Sequence, residues 1–276
     1  MFGVALDIKL SDFNAIVKSP KSILVGLVSQ LILLPFVTIL LIYVSRPLPS
    51  LALGMFLVAA CPGGNISNFM SSLAKGNVAL SVSMTAITTL SAVIITPISF
   101  ALMASSYEPT RELLRSFTIS FTDVFYTVSV ILALPLTLGI LFNNYFPKGA
   151  LKLKKVIKPL SILIFIAFVL IAFLKNKEIF LNYFQYIIYL VFAHNGLAFL
   201  AAFLFSGLMG LSLIDRRSIT IETGIQNSGL GLVIIFAFFD GLGGMAMITA
   251  WWGIWHIISG LTIATFWSYR PISLSS

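Results

Sequence analysis

Apolar residues run through this chain in long blocks separated by short polar connectors. A helix needs about 20 apolar residues to cross the hydrocarbon core of a bilayer. Eight blocks qualify: 22–44, 50–74, 78–103, 116–142, 157–174, 181–209, 217–239 and 244–268. The connectors are short and polar, among them SRPLPS (45–50), SSYEPTRELLRS (105–116) and NNYFPKGALKLKKVIKP (143–159). The pattern predicts an all-α polytopic membrane protein, a single domain over 1–276 with no separate soluble domain and no low-complexity tract. Two blocks carry polar interruptions. The stretch CPGGNISNFM (61–70) lies in the middle of the second, and IETGIQNSGLG (221–231) lies in the seventh, with Glu222 well inside it.

Each interrupted block is followed at once by an unusually long one, 78–103 and 244–268, so the same unit occurs twice. This is the pattern of an internal repeat with discontinuous helices. If each span crosses once, the two interrupted spans run in opposite directions and the repeat is inverted. Pro62 removes a backbone donor and collides with the preceding turn, and Gly63 and Gly64 widen the accessible φ and ψ. Together they unwind the helix, or at the least kink it. Free backbone groups are costly in lipid, so such a break must face protein or a wet cavity.

Composition agrees with a bilayer as solvent. The chain is 59% hydrophobic and 9% charged, with mean hydropathy +1.05, against about 25% charged residues in soluble domains. The lone cysteine, Cys61, excludes an intrachain disulfide, and His194 and His256 lie too far apart in sequence to suggest a metal-ligand spacing. The stretch MFGVALDIKLSDF (1–13) does not read as a cleavable signal peptide. The basic residues fix an orientation. With the lysine-rich connector 143–159 placed inside, one side holds Lys9, Lys18, Lys21, Lys75, Lys148, Lys152, Lys154, Lys155, Lys158, Arg216, Arg217 and Arg270. The other side holds Arg46, Arg111, Arg115, Lys175 and Lys177. The positive-inside rule then supports eight spans and a cytoplasmic C-terminus.

Unwound carbonyls and half-helix ends are natural ion ligands. Asn65, Ser67 and Asn68 in the first break, and Gln226, Asn227 and Ser228 in the second, add neutral oxygens. Glu222 adds charge; an acid at bilayer depth costs about 2.5–3.5 kcal/mol and usually faces a functional interior. One carboxylate among hydroxyl, amide and carbonyl oxygens suits a hard monovalent cation better than Ca²⁺ or Mg²⁺. Ser81 and Thr85 stand four residues apart on one face of the following helix and can complete the set. The plainer readings are back-bonding of each hydroxyl to its own helix and a cytoplasmic helix end for Glu222, near Arg216 and Arg217.

These motifs resemble the bile acid:sodium symporter family. The likeness runs through MFGVALDIKLSDF (1–13), GLVSQLILLP (26–35), CPGGNISNFMSSLAKGNVALSVSMTAITTL (61–90), IETGIQNSGL (221–230) and WHIISG (255–260). It implies a fold of ten helices in two inverted five-helix repeats, with two broken helices crossing at mid-membrane. A core (about 22–103 and 181–268) is expected to move against a panel (about 1–13 and 116–174). In that family the MFG stretch follows one or two further helices, and residue 1 falls near the end of the second. The resemblance also implies two sodium sites: Ser67, Asn68, Ser81, Thr85 and Glu222 for the first; Gln30, Glu222, Gln226 and the carbonyls of Thr223 and Ile225 for the second. Read from the residues alone, Gln30 is a polar residue in a packed helix. Asn65, Asn227 and His256 are expected at the substrate cavity, with Asn65 in place of a smaller or hydroxyl residue, and His194 is expected to be structural.

The expected activity is sodium-coupled uptake of an organic anion, bile-acid-like or a small carboxylate, by alternating access across the cell (plasma or inner) membrane. The expected partners are Na⁺, that anion and the lipid bilayer, with no nucleic acid. The alternatives are a proton-coupled or sodium-independent carrier titrating Glu222 and a metalloid carrier using the Cys61 thiolate. No nucleophile has a base at motif spacing, so an enzyme is not expected.

Overall fold

A computed structural model of the chain describes residues 2–6, 19–116 and 121–270. Most of the 1–13 stretch, with Lys9 and Lys18, and residues 117–120 at the expected start of the fourth span lie outside the described residues. Among the described residues the regular elements are all helices. They are α1 (Phe2–Ala5), α2 (Pro20–Ser45), α3 (Pro49–Ala60), α4 (Ile66–Leu73), α5 (Val78–Ser106) and α6 (Glu108–Ser116). The remainder are α7 (Phe121–Tyr145), α8 (Pro147–Lys175), α9 (Lys177–Leu208), α10 (Leu213–Gly224), α11 (Ser228–Phe238) and α12 (Gly243–Ser268).

The eight expected spans map onto these elements. α2, α5, α8, α9 and α12 are each long and apolar enough to cross a membrane, and α7 follows as the fourth span. The two interrupted blocks are pairs of half-helices, α3 with α4 and α10 with α11. Two connectors differ from expectation. Residues 108–116 form α6 rather than a loop: Glu108 pairs with Arg111 one turn on, and Leu113 and Leu114 pack against the main core cluster. Thr110 Oγ1 ties the helix to the preceding turn through the Ala104 carbonyl at 2.6 Å. The lysine-rich connector is helical too, broken only near Phe146. Pro147 starts α8 in the first turn, where a missing N–H costs nothing, and the Lys and Leu residues that follow are strong helix formers.

Burial sorts the helices. α3 is buried along Leu51–Ala60 and packs on α12, as a helix apolar on all sides must. α8 buries little beyond Ala150 and Ala172, and its other faces carry exposed Leu, Ile and Val suited to lipid. α2 is not a regular helix throughout. At Ser29–Leu33 it widens into a π turn, with the Leu34 N–H bonded to the Ser29 carbonyl. The widening sits directly before Pro35, whose ring would otherwise meet the carbonyl of Leu31. It buries Ser29 and Gln30 toward α10 and α9.

Polar contacts gather the basic residues by end. At one end Ser22 and Asn77 bond the Asp215 carboxylate, at 2.7 and 2.8 Å, and Arg217 bonds the carbonyls of Ala74, Trp267 and Arg270. At the other, Tyr43 bonds the Ser106 carbonyl and Tyr186 the Ser45 carbonyl. Lys21, Lys75, Arg216, Arg217 and Arg270 thus share one end, and Arg46 and Arg111 the opposite one, the grouping that the charge pattern predicts.

Candidate functional site

The two breaks meet. After α3, Cys61 turns extended, and residues 61–65 leave the helix before α4 begins. After α10, Ile225 does the same before α11. The freed backbone groups find each other: Gly64 N–H donates to the Ile225 carbonyl and Asn227 N–H to the Pro62 carbonyl, both at 2.9 Å. Gly63 and Gln226 form an isolated antiparallel bridge between those bonds. Exchanging Pro62 with Ile225 and Gly64 with Asn227 maps each bond onto the other, as an inverted repeat requires. The backbone cost of unwinding inside a membrane is thereby partly met within the protein.

Beside this crossing lies Glu222, with no exposed surface. Three hydroxyls converge on its carboxylate: Ser67 Oγ from α4 to Oε2 at 2.5 Å, Ser81 Oγ from α5 to Oε2 at 2.9 Å, and Thr85 Oγ1 from α5 to Oε1 at 2.6 Å. Asn68 Oδ1 joins them, 2.9 Å from Ser81 Oγ and 3.2 Å from Thr85 Oγ1. All five residues of the first expected set are therefore together. Their protons do not cover their contacts. Ser81 has one proton for two acceptors, and Thr85 has one for Asn68, Glu222 and the Ser81 carbonyl. No ion pair involves Glu222 among the described residues. A buried carboxylate ringed by surplus oxygens, with no counter-charge among the described residues, could hold a small hard cation.

Two members of the second expected set, Gln30 and Glu222, meet at Gly63. A Cβ built on Gly63 would touch Glu222 Oε1 and lie 3.0 Å from Gln30 Nε2, so the Gln30 amide and the Glu222 carboxylate flank the same glycine. Gln30 is buried, yet neither its Oε1 nor its Nε2 has a hydrogen-bond partner. Gln226 donates Nε2 to the Thr223 carbonyl at 2.7 Å and leaves its buried Oε1 unpartnered. Orphaned buried amide oxygens are rare in folded proteins, and those of Gln30 and Gln226 could each accept a further donor or ion.

The cavity candidates are placed differently from one another. Asn227 caps α11, its Oδ1 accepting from Leu230 N–H. Asn65 precedes α4 half-buried, with no capping bond from its side chain. His256 is buried on α12 with Nδ1 unpartnered. It shares a face with Gly253, which adjoins Ser228, and with Gly260, which adjoins Ile225 and Met70. His194 bonds Thr38 Oγ1 through Nε2 at 2.7 Å and packs on the Trp252 ring. Thr38→Val is expected to lower stability by about 1–3 kcal/mol by orphaning that nitrogen while leaving any sodium response intact. Melting in detergent with and without Na⁺ checks this. Cys61 is buried, and no group of three His, Cys, Asp or Glu residues gathers among the described residues.

Some site residues escape sequence reading. Ser71 Oγ bonds Ser81 Oγ at 3.1 Å, Ser29 Oγ meets Thr223 Oγ1 at 2.9 Å, and Asn195 reaches the Gly224 carbonyl. Ser29 stands beside Gln30, and Asn195 stands beside the more conspicuous His194; adjacency is the sole signal either carries.

The helices, the paired breaks and the buried oxygen cluster define an integral membrane transporter. Residues 1–183 match the family described as the Sodium Bile acid symporter family, and the chain belongs to that family. It is 33% identical over 270 residues to the "Uncharacterized sodium-dependent transporter YocS" of Bacillus subtilis, covering 98% of this chain and 81% of that protein. It is 30% identical over 267 residues to the "Probable sodium/metabolite cotransporter BASS1, chloroplastic" of Arabidopsis thaliana. It is equally similar, at 30%, to the protein of the same name in Oryza sativa subsp. japonica. The chain spans 64% of the length of either plant protein. These relatives are named as transporters.

Proposed function

We propose that this chain is a sodium-coupled symporter that takes up an organic anion by alternating access. The observation that carries the reading is the Glu222 carboxylate, fully buried, ringed by Ser67, Ser81, Thr85 and Asn68, and without a cationic partner among the described residues. One Na⁺ among those five residues supplies the missing charge. A second, between Gln30, Glu222, Gln226 and the carbonyls of Thr223 and Ile225, satisfies the orphaned amide oxygens. Glu222 belongs to both sets and couples their occupancy. The names of the relatives, two of them sodium/metabolite cotransporters, support sodium as the driving ion. The grouping of basic residues supports a cytoplasmic C-terminus.

The residues act by binding and by position. The half-helix ends and neutral oxygens strip the ion of its water, and the carboxylate balances its charge. Asn65, Asn227 and His256 border the crossing and are placed to meet an anion that enters once the sodium sites are filled. The panel, α7 and α8 with the N-terminal stretch, moves against the core that holds the crossing. The energetics suffice. Each Na⁺ moving inward at 100 mV releases about 2.3 kcal/mol, and a tenfold gradient adds about 1.4 kcal/mol. Two ions supply roughly 7 kcal/mol, and bringing a monoanion inward costs about 2.3 kcal/mol.

The test is uptake of a labelled panel of organic anions into proteoliposomes, with and without an inward Na⁺ gradient, wild type beside Glu222→Ala. Sodium-dependent uptake lost in the variant is expected. Uptake that ignores Na⁺ but responds steeply to pH would replace this reading with proton coupling. Cys61→Ser is expected to keep wild-type uptake, because the thiol is buried and no group of three metal-ligating side chains gathers among the described residues. Loss of transport in that variant would point to thiolate chemistry instead.

A further inference from the structure

Asn195 lies on α9, outside both candidate sodium sets, and is fully buried. Its Nδ2 donates to the Gly224 carbonyl at 2.8 Å, and its Oδ1 accepts from Ser259 Oγ of α12 at 2.5 Å. One helical turn along α9, Phe199 presses on the same residue: a Cβ at Gly224 would lie 2.8 Å from Phe199 Cζ. So α9 holds Gly224 by its carbonyl and closes on its Cα, an approach that a side chain at position 224 would block.

Gly224 is the last residue of α10, where helix carbonyls lose their intrahelical partners. Three successive carbonyls here are each held by a different part of the molecule. The Thr223 carbonyl accepts from Gln226 Nε2, the Gly224 carbonyl from Asn195, and the Ile225 carbonyl from Gly64 N–H. The outer two are the backbone members of the second sodium set. The middle one fixes the peptide plane between them.

We infer that Asn195, itself held by Ser259, is a positioning residue for the second sodium site, setting the angle at which the Thr223 and Ile225 carbonyls face the ion. The inference rests on the two-site reading above. Asn195 does not touch the ion. It acts on the ligands as an outer hydrogen-bond partner acts on a metal's ligands, where loss typically costs 10–100-fold in affinity.

Sodium binding to the purified full-length protein tests this without a known substrate. ²²Na⁺ binding isotherms are compared for wild type, Asn195→Leu, which keeps the volume and removes the donor, and Ser259→Ala, which frees the Asn195 amide to turn. Melting in choline chloride is measured alongside. Wild type is expected to bind two ions. Each variant is expected to lose about tenfold or more in one of the two affinities, with a smaller change in the other through the shared Glu222, and Ser259→Ala is expected to melt as wild type in choline. Two unchanged affinities in both variants would overturn the inference. A parallel fall of both affinities together with melting in choline would also overturn it, as the mark of a purely structural role. Absence of sodium binding by wild type would instead overturn the two-site reading itself, and this inference with it.

Discussion

Glu222→Gln is expected to abolish sodium-dependent uptake and to remove stabilisation by Na⁺. The substitution keeps the length and shape of the side chain, so packing around the crossing is unaffected. It removes the one negative charge in the buried cluster. The attraction between unit charges at 4 Å is about 4 kcal/mol at an effective dielectric of 20, which corresponds to about a thousandfold in sodium affinity. It also turns an acceptor into a donor. Ser67 Oγ, Ser81 Oγ and Thr85 Oγ1 now converge on the carboxylate, and an NH₂ in place of one oxygen would face hydroxyls that have lost their acceptor. Uptake in proteoliposomes and sodium-dependent melting are the measurements. A variant retaining wild-type sodium dependence would remove Glu222 from the site.

Gly63→Ala is expected to cost at least about a hundredfold in sodium-dependent uptake, from a single methyl group. The new Cβ would touch Glu222 Oε1 and lie 3.0 Å from Gln30 Nε2 and 3.2 Å from Glu222 Cδ. The backbone has little room to withdraw, because the carbonyl before Gly63 and the N–H after it are both bonded to the second break. The strain therefore falls on the ligands, and a hundredfold is about 2.7 kcal/mol, within the range for forcing extra volume into a packed site. Gly64→Ala is the internal comparison. Its Cβ would meet the Gln226 carbonyl at 3.4 Å, an ordinary contact, so that variant is expected to keep most of its activity. Equal loss in the two variants would place the sensitivity in the backbone rather than at Glu222 and Gln30.

Much of this architecture is legible in the sequence because a bilayer leaves few choices. Apolar length marks the spans, and Pro62, Gly63 and Gly64 mark a break that must face protein or a wet cavity. The positions of Ser81 and Thr85, four apart on one helix, already place two hydroxyls on the face that Glu222 occupies. Other parts are silent. The bonds that join the breaks are made by main-chain atoms, and no side-chain pattern announces them. Gln30 looks like any polar residue in a packed helix; a π turn before Pro35 is what buries it. Asn195 is hidden because its partner is a backbone carbonyl 29 residues away. The connectors at 105–116 and 143–159 are polar, which masks their Leu, Glu, Arg and Lys helix formers, and both are largely helical.

The join between the two breaks has a consequence for how such a carrier can diversify. It consists of Pro62 and Ile225 carbonyls with Gly64 and Asn227 N–H groups, atoms that almost every amino acid carries. Register at the crossing is therefore insulated from replacement of the side chains around it. Asn65, which makes no capping bond, can be exchanged while the crossing holds its place. The side chains that border the crossing can thus change over a main-chain frame that stays the same.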